Sequence, residues 1–287
     1  MALDVFLKKE DLSEFGSLRV MKQSFPFAVA IAAYPLLGRV DKILLGAFHD
    51  YEIVSLYHAS WVVLLTGFIV PNVLRQSISP LLAQADSASG IRDNIAGCRV
   101  ISYPLISIGI PGSIIISEIL LGIIFPEEYF IERGFPELVG VNLFTLLLPA
   151  WVWAMLSSGT LESLKYHPNS WILAFVIGSS IFINFSVGIA LVRENSIFGV
   201  AIATIIAQFS IFALSSIVQI RNKAAYTNTV LVDLITGILA TIALISMAIG
   251  EENIMQYSML LLYAVLITTS FYQLFSSPGL LNLSSRT

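Results

Sequence analysis

Three charged side chains, Arg39, Asp41 and Lys42, interrupt a stretch of otherwise apolar sequence. A charge at the centre of a membrane helix costs roughly 2.5–3.5 kcal/mol on insertion scales, so these charges require compensation. Arg39 and Lys42 are three residues apart and share a helix face, whereas Asp41 can pair well with neither and needs a partner on another helix. Two interpretations stand. The three residues form a structural ion network, or they form the charged wall of a solvated cavity that handles an anionic or sugar headgroup.

Glu118 is a further acid inside an apolar run. It precedes Phe125 by seven residues, which places it about 10 Å inside the end of a helix. Ser107, Pro111 and Gly122 fall on the same stripe, and this predicts that the stripe faces other helices rather than lipid. Glu118 is therefore a candidate for proton or cation coupling. The alternative is a satisfied buried acid that stays neutral because burial disfavours its charged form.

Uncharged polar residues also occur within the apolar runs. Asn72, Asn142 and Asn184 are candidates for lining a substrate cavity together with the charged cluster. The alternative is that they hydrogen-bond between helices, as most such groups do in membrane proteins. His58 fits a packed or interfacial residue better than a proton relay.

The sequence contains no recognisable enzyme motif. It has no phosphate-binding loop of the Walker type and no His-Glu-x-x-His zinc motif. Its three histidines are scattered, and its single cysteine excludes a cysteine-rich metal site. We therefore expect no catalytic residues, no metal, no cofactor and no nucleic-acid partner.

The composition is that of an integral membrane protein. Mean hydropathy is +0.85, and charged residues make up 12% of the chain, against about 25% in soluble domains. Apolar runs of about 20 residues recur, each long enough to cross about 30 Å of hydrocarbon. They are too long and too continuous for barrel strands. The predicted fold class is therefore an all-α polytopic membrane protein.

About eight transmembrane helices are expected. Their predicted ranges are 25–47, 53–75, 100–125, 138–160, 170–192, 197–219, 229–250 and 254–275, after an amphipathic cytoplasmic lead-in over residues 1–24. With the N-terminus inside, eleven basic residues lie on the cytoplasmic side and two, Arg133 and Arg193, lie outside. By the positive-inside rule, both termini are expected in the cytoplasm. The longest inner loop is expected over residues 76–98, with room for a short interfacial helix.

Several short segments, in their order and spacing, resemble one transporter family. Asp41, a Leu-Gly pair and Tyr57 followed by small residues are typical of the start of the second half of polysaccharide flippases. These belong to the multidrug/oligosaccharidyl-lipid/polysaccharide exporter superfamily. In the similar segment Phe125–Tyr129, Pro126 stands where the family usually has glycine. The similar segments are Asp41–Phe48, Ile53–Ala59, Ile78–Leu82, Phe125–Tyr129, Asn184 and Gly199–Thr204.

The resemblance implies a fold and an activity. Members of the family have two six-helix lobes around a central cavity and often two extra helices. By alternating access, they move a lipid-linked oligosaccharide from the inner to the outer leaflet of the plasma membrane. They use ion gradients or the membrane potential rather than ATP. Residues 25–220 would then be one six-helix lobe and residues 221–287 the extra pair with a short tail, with Arg39, Asp41 and Lys42 on the cavity wall.

The sequence departs from the family in one large respect. Its eight expected helices match only the second lobe and the extra pair, so the first lobe is missing. The missing first lobe is expected as a separate chain or is replaced by a second copy in a homodimer, unless the sequence is a fragment. Besides the bilayer, the implied partner is the lipid-linked oligosaccharide. The alternatives are a drug or metabolite exporter of the same superfamily and a non-transporting membrane partner subunit. A membrane glycosyl- or acyltransferase is the weakest reading.

Overall fold

The structure is a computed structural model that describes residues 17–124, 139–249, 258 and 262–269. Regular secondary structure in these ranges is entirely helical, which confirms the all-α prediction. The helices are α1 (Ser17–Phe48), α2 (Tyr51–Gly67), α3 (Ile69–Ala83), α4 (Ala88–Ile124), α5 (Val139–Leu156), α6 (Ser158–Ser163), a 3-10 turn (Leu164–Tyr166), α7 (Trp171–Arg221) and α8 (Thr227–Ile249). Residues 262–269 are also helical.

Within the described residues, five helices are long and apolar enough to cross a membrane, and α5 with α6 makes a sixth if the bent pair is one span. The first predicted span lies in α1 and is not among the five. This part of α1 contains the charged residues Arg39, Asp41 and Lys42, which lower its mean hydropathy. The eighth predicted span lies largely outside the described residues. The five are Tyr51–Ala83, Ala88–Ser117, Trp171–Arg193, Ile197–Arg221 and Thr227–Ile249.

The expected inner loop over residues 76–98 is mostly helix. Helix α3 continues to Ala83 and α4 already begins at Ala88. Ser87 explains the early start of α4, because its hydroxyl accepts a hydrogen bond from the backbone N–H of Gly90 at 3.2 Å, as an N-cap does. Hydropathy alone missed this extension because the added turns are polar.

Helix α7 consists of two antiparallel helical arms that follow each other directly along the chain. The hydroxyl of Ser210 donates to that of Ser180 at 2.8 Å, yet thirty residues of straight helix would separate them by about 45 Å. The chain therefore reverses between Arg193 and Ile197, where the two apolar spans meet. A Cβ at Gly199 would lie 2.6 Å from the carbonyl oxygen of Leu191, so this reversal requires glycine.

Helix directions alternate along the chain, as a polytopic topology demands. For three helix pairs, two contacts at different heights along the helices show their relative direction. Helices α1 and α2 are antiparallel, α4 and α5 are antiparallel, and α4 and α8 are parallel. The contacting pairs are Gly38–Trp61 with Gly46–Val54, Cys98–Gly159 with Gly109–Trp151, and Arg92–Tyr226 with Tyr103–Asp233.

Helix α5 is the centre of the bundle. Every side chain from residue 143 to residue 164 is buried, because α2, α4, α7 and α8 all pack around α5. The indole of Trp151 donates to the Gly67 carbonyl at 2.8 Å, and that of Trp153 donates to Thr241 at 3.1 Å. These two tryptophans are packing residues, whereas Trp171 is exposed beside Phe25.

Candidate functional site

Asp41 is the predicted site residue around which the structure gathers several hydrogen-bond partners. Its side chain is fully buried, and it accepts three hydrogen bonds. The donors are the Tyr57 hydroxyl at 2.7 Å, the Thr204 hydroxyl at 2.7 Å and the Asn184 amide at 2.9 Å. We call these four residues the Asp41 cluster. Asp41 makes no salt bridge among the residues that the structure describes, so an uncharged shell replaces the expected ion network.

Three helices bring the Asp41 cluster together. Asp41 lies on α1, Tyr57 on α2, and Asn184 and Thr204 on the two arms of the α7 hairpin. The Asn184 amide also donates to the Leu37 carbonyl at 3.2 Å, which ties the first arm of α7 to α1. Each of the four is among the residues that carry the family resemblance.

Close helix packing allows this convergence. A Cβ at Gly38 would lie 2.8 Å from the Trp61 ring, and one at Gly188 would lie 2.4 Å from Leu44. The Trp61 ring in turn stacks on Tyr57, with their centroids 6.3 Å apart. Small residues on α1 and α7 thus let their neighbours approach until the short side chains of Asp41 and Thr204 touch.

The Asp41 cluster can accommodate a change of protonation. The Thr204 hydroxyl has one proton and two acceptors within reach, Asp41 at 2.7 Å and the Val200 carbonyl at 3.2 Å. If Asp41 gained a proton, it could donate to Thr204, whose own proton would turn to Val200. The buried Oδ1 of Asn184 has no hydrogen-bond partner within the described ranges. The Thr204 hydroxyl therefore lets the cluster hold Asp41 in either protonation state.

Arg39 and Lys42 do not join Asp41. Arg39 is exposed, and Lys42 is partly buried on the wall of a cavity of about 410 Å³ between α1 and α2. His58 lies on the same wall. We call this cavity the α1–α2 groove; its lining residues are Lys42, Tyr51, Val54, Ser55, His58, Ala59 and Val62.

The remaining predicted site residues are dispersed. Asn184 belongs to the Asp41 cluster, whereas Asn72 is exposed on α3. The side chains of Asn142 and Glu118 lie outside the described residues, so their predicted roles stay predictions. No group of three metal-ligating side chains occurs in the described part of the chain.

A second buried polar centre was missed from the sequence. Asp233 on α8 is fully buried and lies 2.5 Å from the guanidinium of Arg99 on α4. Tyr103 donates to the same carboxylate at 2.8 Å, and Arg99 donates to Thr229 at 2.8 Å. Arg99 immediately precedes the predicted span 100–125 and was counted among the cytoplasmic basic residues, and Asp233 lies near the start of the predicted span 229–250. The available signal was the spacing of Arg99 and Tyr103, which lie one turn apart on the same helix face.

Arg75, at the cytoplasmic end of the predicted span 53–75, is also buried. It donates to the Pro71 carbonyl at 3.3 Å and to the Tyr34 hydroxyl at 3.1 Å, and its guanidinium lies over the Tyr34 ring. Two of the eleven basic residues used for the topology prediction, Arg75 and Arg99, therefore lie inside the bundle.

The exposed surface has one polar side. Among the described side chains of α4, the exposed ones from residue 101 to residue 119 are isoleucine, leucine and proline, and those of α8 beyond its first turn are leucine and isoleucine. The exposed side of α2 and α3 is different, because it mixes polar with apolar side chains. We call it the polar face; it carries His58, Thr66, Asn72, Gln76 and Ser77 among the exposed apolar residues Val62, Leu65, Ile69 and Val73.

Comparison with family models, with curated proteins and with solved structures finds no match for this chain.

Proposed function

We propose that this chain is one lobe of a membrane transporter that moves a lipid-linked oligosaccharide across the bilayer by alternating access, for export of cell-surface polysaccharide. The proposed setting is the plasma membrane, with eight spans and both termini in the cytoplasm. The alternation of helix direction supports a chain that crosses the membrane repeatedly. The family resemblance supports a lipid-linked oligosaccharide as the substrate.

The observation that carries this proposal is the polar face. Several exposed polar side chains on one side of an otherwise apolar exterior fit water or protein better than lipid chains, because unpaired polar groups are costly in hydrocarbon. One lobe of a two-lobe transporter presents such a side to the central pathway. The exposed Arg39 on neighbouring α1 adds a charge that also fits a hydrated pathway.

The Asp41 cluster suits the coupling step. A buried carboxylate held only by uncharged donors can gain a proton or a cation without breaking a salt bridge. Its ligands come from α1, α2 and both arms of α7, so a change in its charge would alter how these helices pack. Asp41 therefore joins Glu118 as a coupling candidate.

A liposome flipping assay tests the proposal. The full chain, with any subunit that co-purifies, is reconstituted with a fluorescent lipid-linked oligosaccharide, and a membrane-impermeant quencher reports which leaflet holds the label. We expect flipping that depends on an ion gradient. Asp41→Asn should remove that dependence because the amide cannot take a proton, while Asp93→Asn, at an exposed acid on α4, should not.

Three results would contradict the proposal or part of it. Flipping by Asp41→Asn with unchanged gradient dependence would exclude Asp41 from coupling. Transport of small amphiphilic drugs without any oligosaccharide flipping would favour the exporter alternative. Absence of both activities, together with stable binding to another membrane protein, would favour the partner-subunit alternative.

A further inference from the structure

The α1–α2 groove combines cationic and apolar walls. Lys42 and His58 supply the polar part, and Val54, Ala59 and Val62 supply the apolar part. Its volume of about 410 Å³ falls within the range of roughly 300–1,000 Å³ that is usual for small-molecule sites. Polar and apolar walls in one cavity suit an amphiphile better than a free sugar or a free ion.

The ammonium group in the groove makes no salt bridge within the described ranges. Asp41, next to Lys42 in the chain, attracts this ammonium group electrostatically, but its carboxylate oxygens accept hydrogen bonds within its own cluster. The next charged residues along the chain are Arg39 on α1 and the acids Asp50 and Glu52 at the α1–α2 connection. An anionic ligand would therefore reach Lys42 without displacing an ion-pair partner, with the imidazole of His58 as a second donor.

The depth of the polar wall matches a lipid phosphate. Lys42 lies six residues before the end of α1, and His58 lies seven residues after the start of α2. At 1.5 Å per residue, both are about 9–10 Å from the connection between the helices. If that connection lies at the membrane surface, this depth is close to the boundary between headgroups and hydrocarbon.

The apolar wall continues toward the bilayer centre. Val62 lies about 16 Å from the start of α2, and it is 41% exposed. Leu65 and Ile69 follow at helical spacing and are 45% and 61% exposed. An acyl or prenyl chain whose phosphate lay at Lys42 could therefore lie along these side chains.

We infer that the α1–α2 groove binds the phosphate and first chain segment of a phosphorylated lipid, with Lys42 and His58 on the phosphate and Val62 against the chain. This inference deepens the proposed function and rests on it for the identity of that lipid as the substrate carrier. Recognition is then directed at the lipid phosphate, so the groove tolerates different sugars. Binding by itself requires no transport.

Binding of farnesyl phosphate tests the inference. Its affinity for the purified full chain in uncharged detergent is compared with the affinities of farnesol and inorganic phosphate. We expect farnesyl phosphate to bind at least about tenfold more tightly than farnesol or inorganic phosphate. Farnesol lacks the phosphate that contacts Lys42 and His58, and inorganic phosphate lacks the chain that contacts Val62. Lys42→Ala should weaken binding by about tenfold through loss of a charge-assisted contact, and Lys42→Arg should retain it.

Two further variants complete the test. Val62→Trp should weaken binding of farnesyl phosphate by filling the apolar wall, and Lys223→Ala, at an exposed lysine of the α7–α8 loop, should leave it unchanged. Equal affinity for farnesol, equal affinity for inorganic phosphate, or unchanged binding by both Lys42→Ala and His58→Ala would overturn the inference. Binding as expected without flipping in liposomes would contradict the proposed function and leave the groove assignment standing.

Discussion

Asp41 and Asp233 are both fully buried carboxylates, but their partners differ. Asp233 faces the guanidinium of Arg99, so its charge is compensated within the bundle. Asp41 has only uncharged donors. A paired carboxylate keeps its charge and holds two helices together, whereas an unpaired one can change charge during a transport cycle. We therefore propose a coupling role for Asp41 and a structural role for Asp233.

Removing one donor from Asp41 should weaken the fold. Tyr57→Phe leaves the aromatic ring on Trp61 and deletes only the hydroxyl that donates to Asp41 at 2.7 Å. We expect a loss of about 1–2 kcal/mol in the free energy of unfolding, measured by titration with a denaturing detergent. Tyr51→Phe, at an exposed tyrosine of the same helix, is the matched control. Equal stability of the two variants would show that the Tyr57 hydroxyl contributes nothing.

The Arg99–Asp233 pair gives a second prediction. Arg99→Ala leaves Asp233 buried without a cation and should cost about 3–5 kcal/mol. The double variant Arg99→Ala with Asp233→Ala removes both charges and should unfold less easily than the single variant. Denaturing-detergent titration of the two single variants and the double variant measures the coupling between the residues. A double variant as unstable as the sum of the singles would argue against a direct interaction.

At the scale of elements, α5 is surrounded and α8 packs directly on it. The two helices approach closely at Gly237, where an added Cβ atom would lie 2.3 Å from the Trp153 ring. Together with the Arg99–Asp233 pair, this contact makes α8 part of the same bundle as the preceding helices. The sequence had separated residues 221–287 from the six-helix lobe; this boundary does not mark a break in packing at α8.

Gly237→Ala should therefore destabilise the bundle. The new methyl group would overlap the Trp153 ring, and such overpacking typically costs about 1–3 kcal/mol. Gly97→Ala on α4 is the control, because no heavy atom lies within 4 Å of its Cβ position. Alanine there should be neutral or stabilise the helix by up to about 1 kcal/mol. Unfolding of both variants by denaturing detergent measures the difference, and equal changes would exclude the Trp153 contact as the cause.

At the scale of the whole molecule, one side of the surface differs from the rest. The exposed sides of α4 and α8 within their spans are apolar, while α2 and α3 present the polar face. We propose that the polar face and the exposed Arg39 mark the side on which a second lobe would complete a pathway. Whether that lobe is a different chain or a second copy is answered by the mass of the complex after mild detergent extraction.

Cysteine labelling tests which side meets water. In a Cys98→Ala background, cysteines at Thr66 and Gln76 should react with a hydrophilic maleimide in native membranes, because the polar face is hydrated. Cysteines at Ile108 and Ile238, on the apolar sides of α4 and α8, should not react, because lipid excludes the reagent. Equal labelling at all four positions would contradict the assignment of a single hydrated side.

The sequence by itself determined the class of the protein. Long apolar runs with few charges can only be membrane helices, because backbone polar groups must be satisfied inside each span. It also singled out Asp41 and Asn184, since a polar residue in an apolar run is conspicuous. It missed the roles of Tyr57, Arg99 and Asp233, because hydropathy along the chain does not show which side chains meet across helices.

Tertiary structure decided how the charged cluster divides. The side chains of Arg39, Asp41 and Lys42 project from α1 in three directions. The packing of α2 and α7 around α1 therefore determines the environment of each side chain. Asp41 is drawn into the bundle where Gly38 and Gly188 let the neighbouring helices approach. Lys42 is left on a groove and Arg39 on the surface. Charge alone marked these positions, and only the close approach of three helices separated a buried acid from two accessible bases.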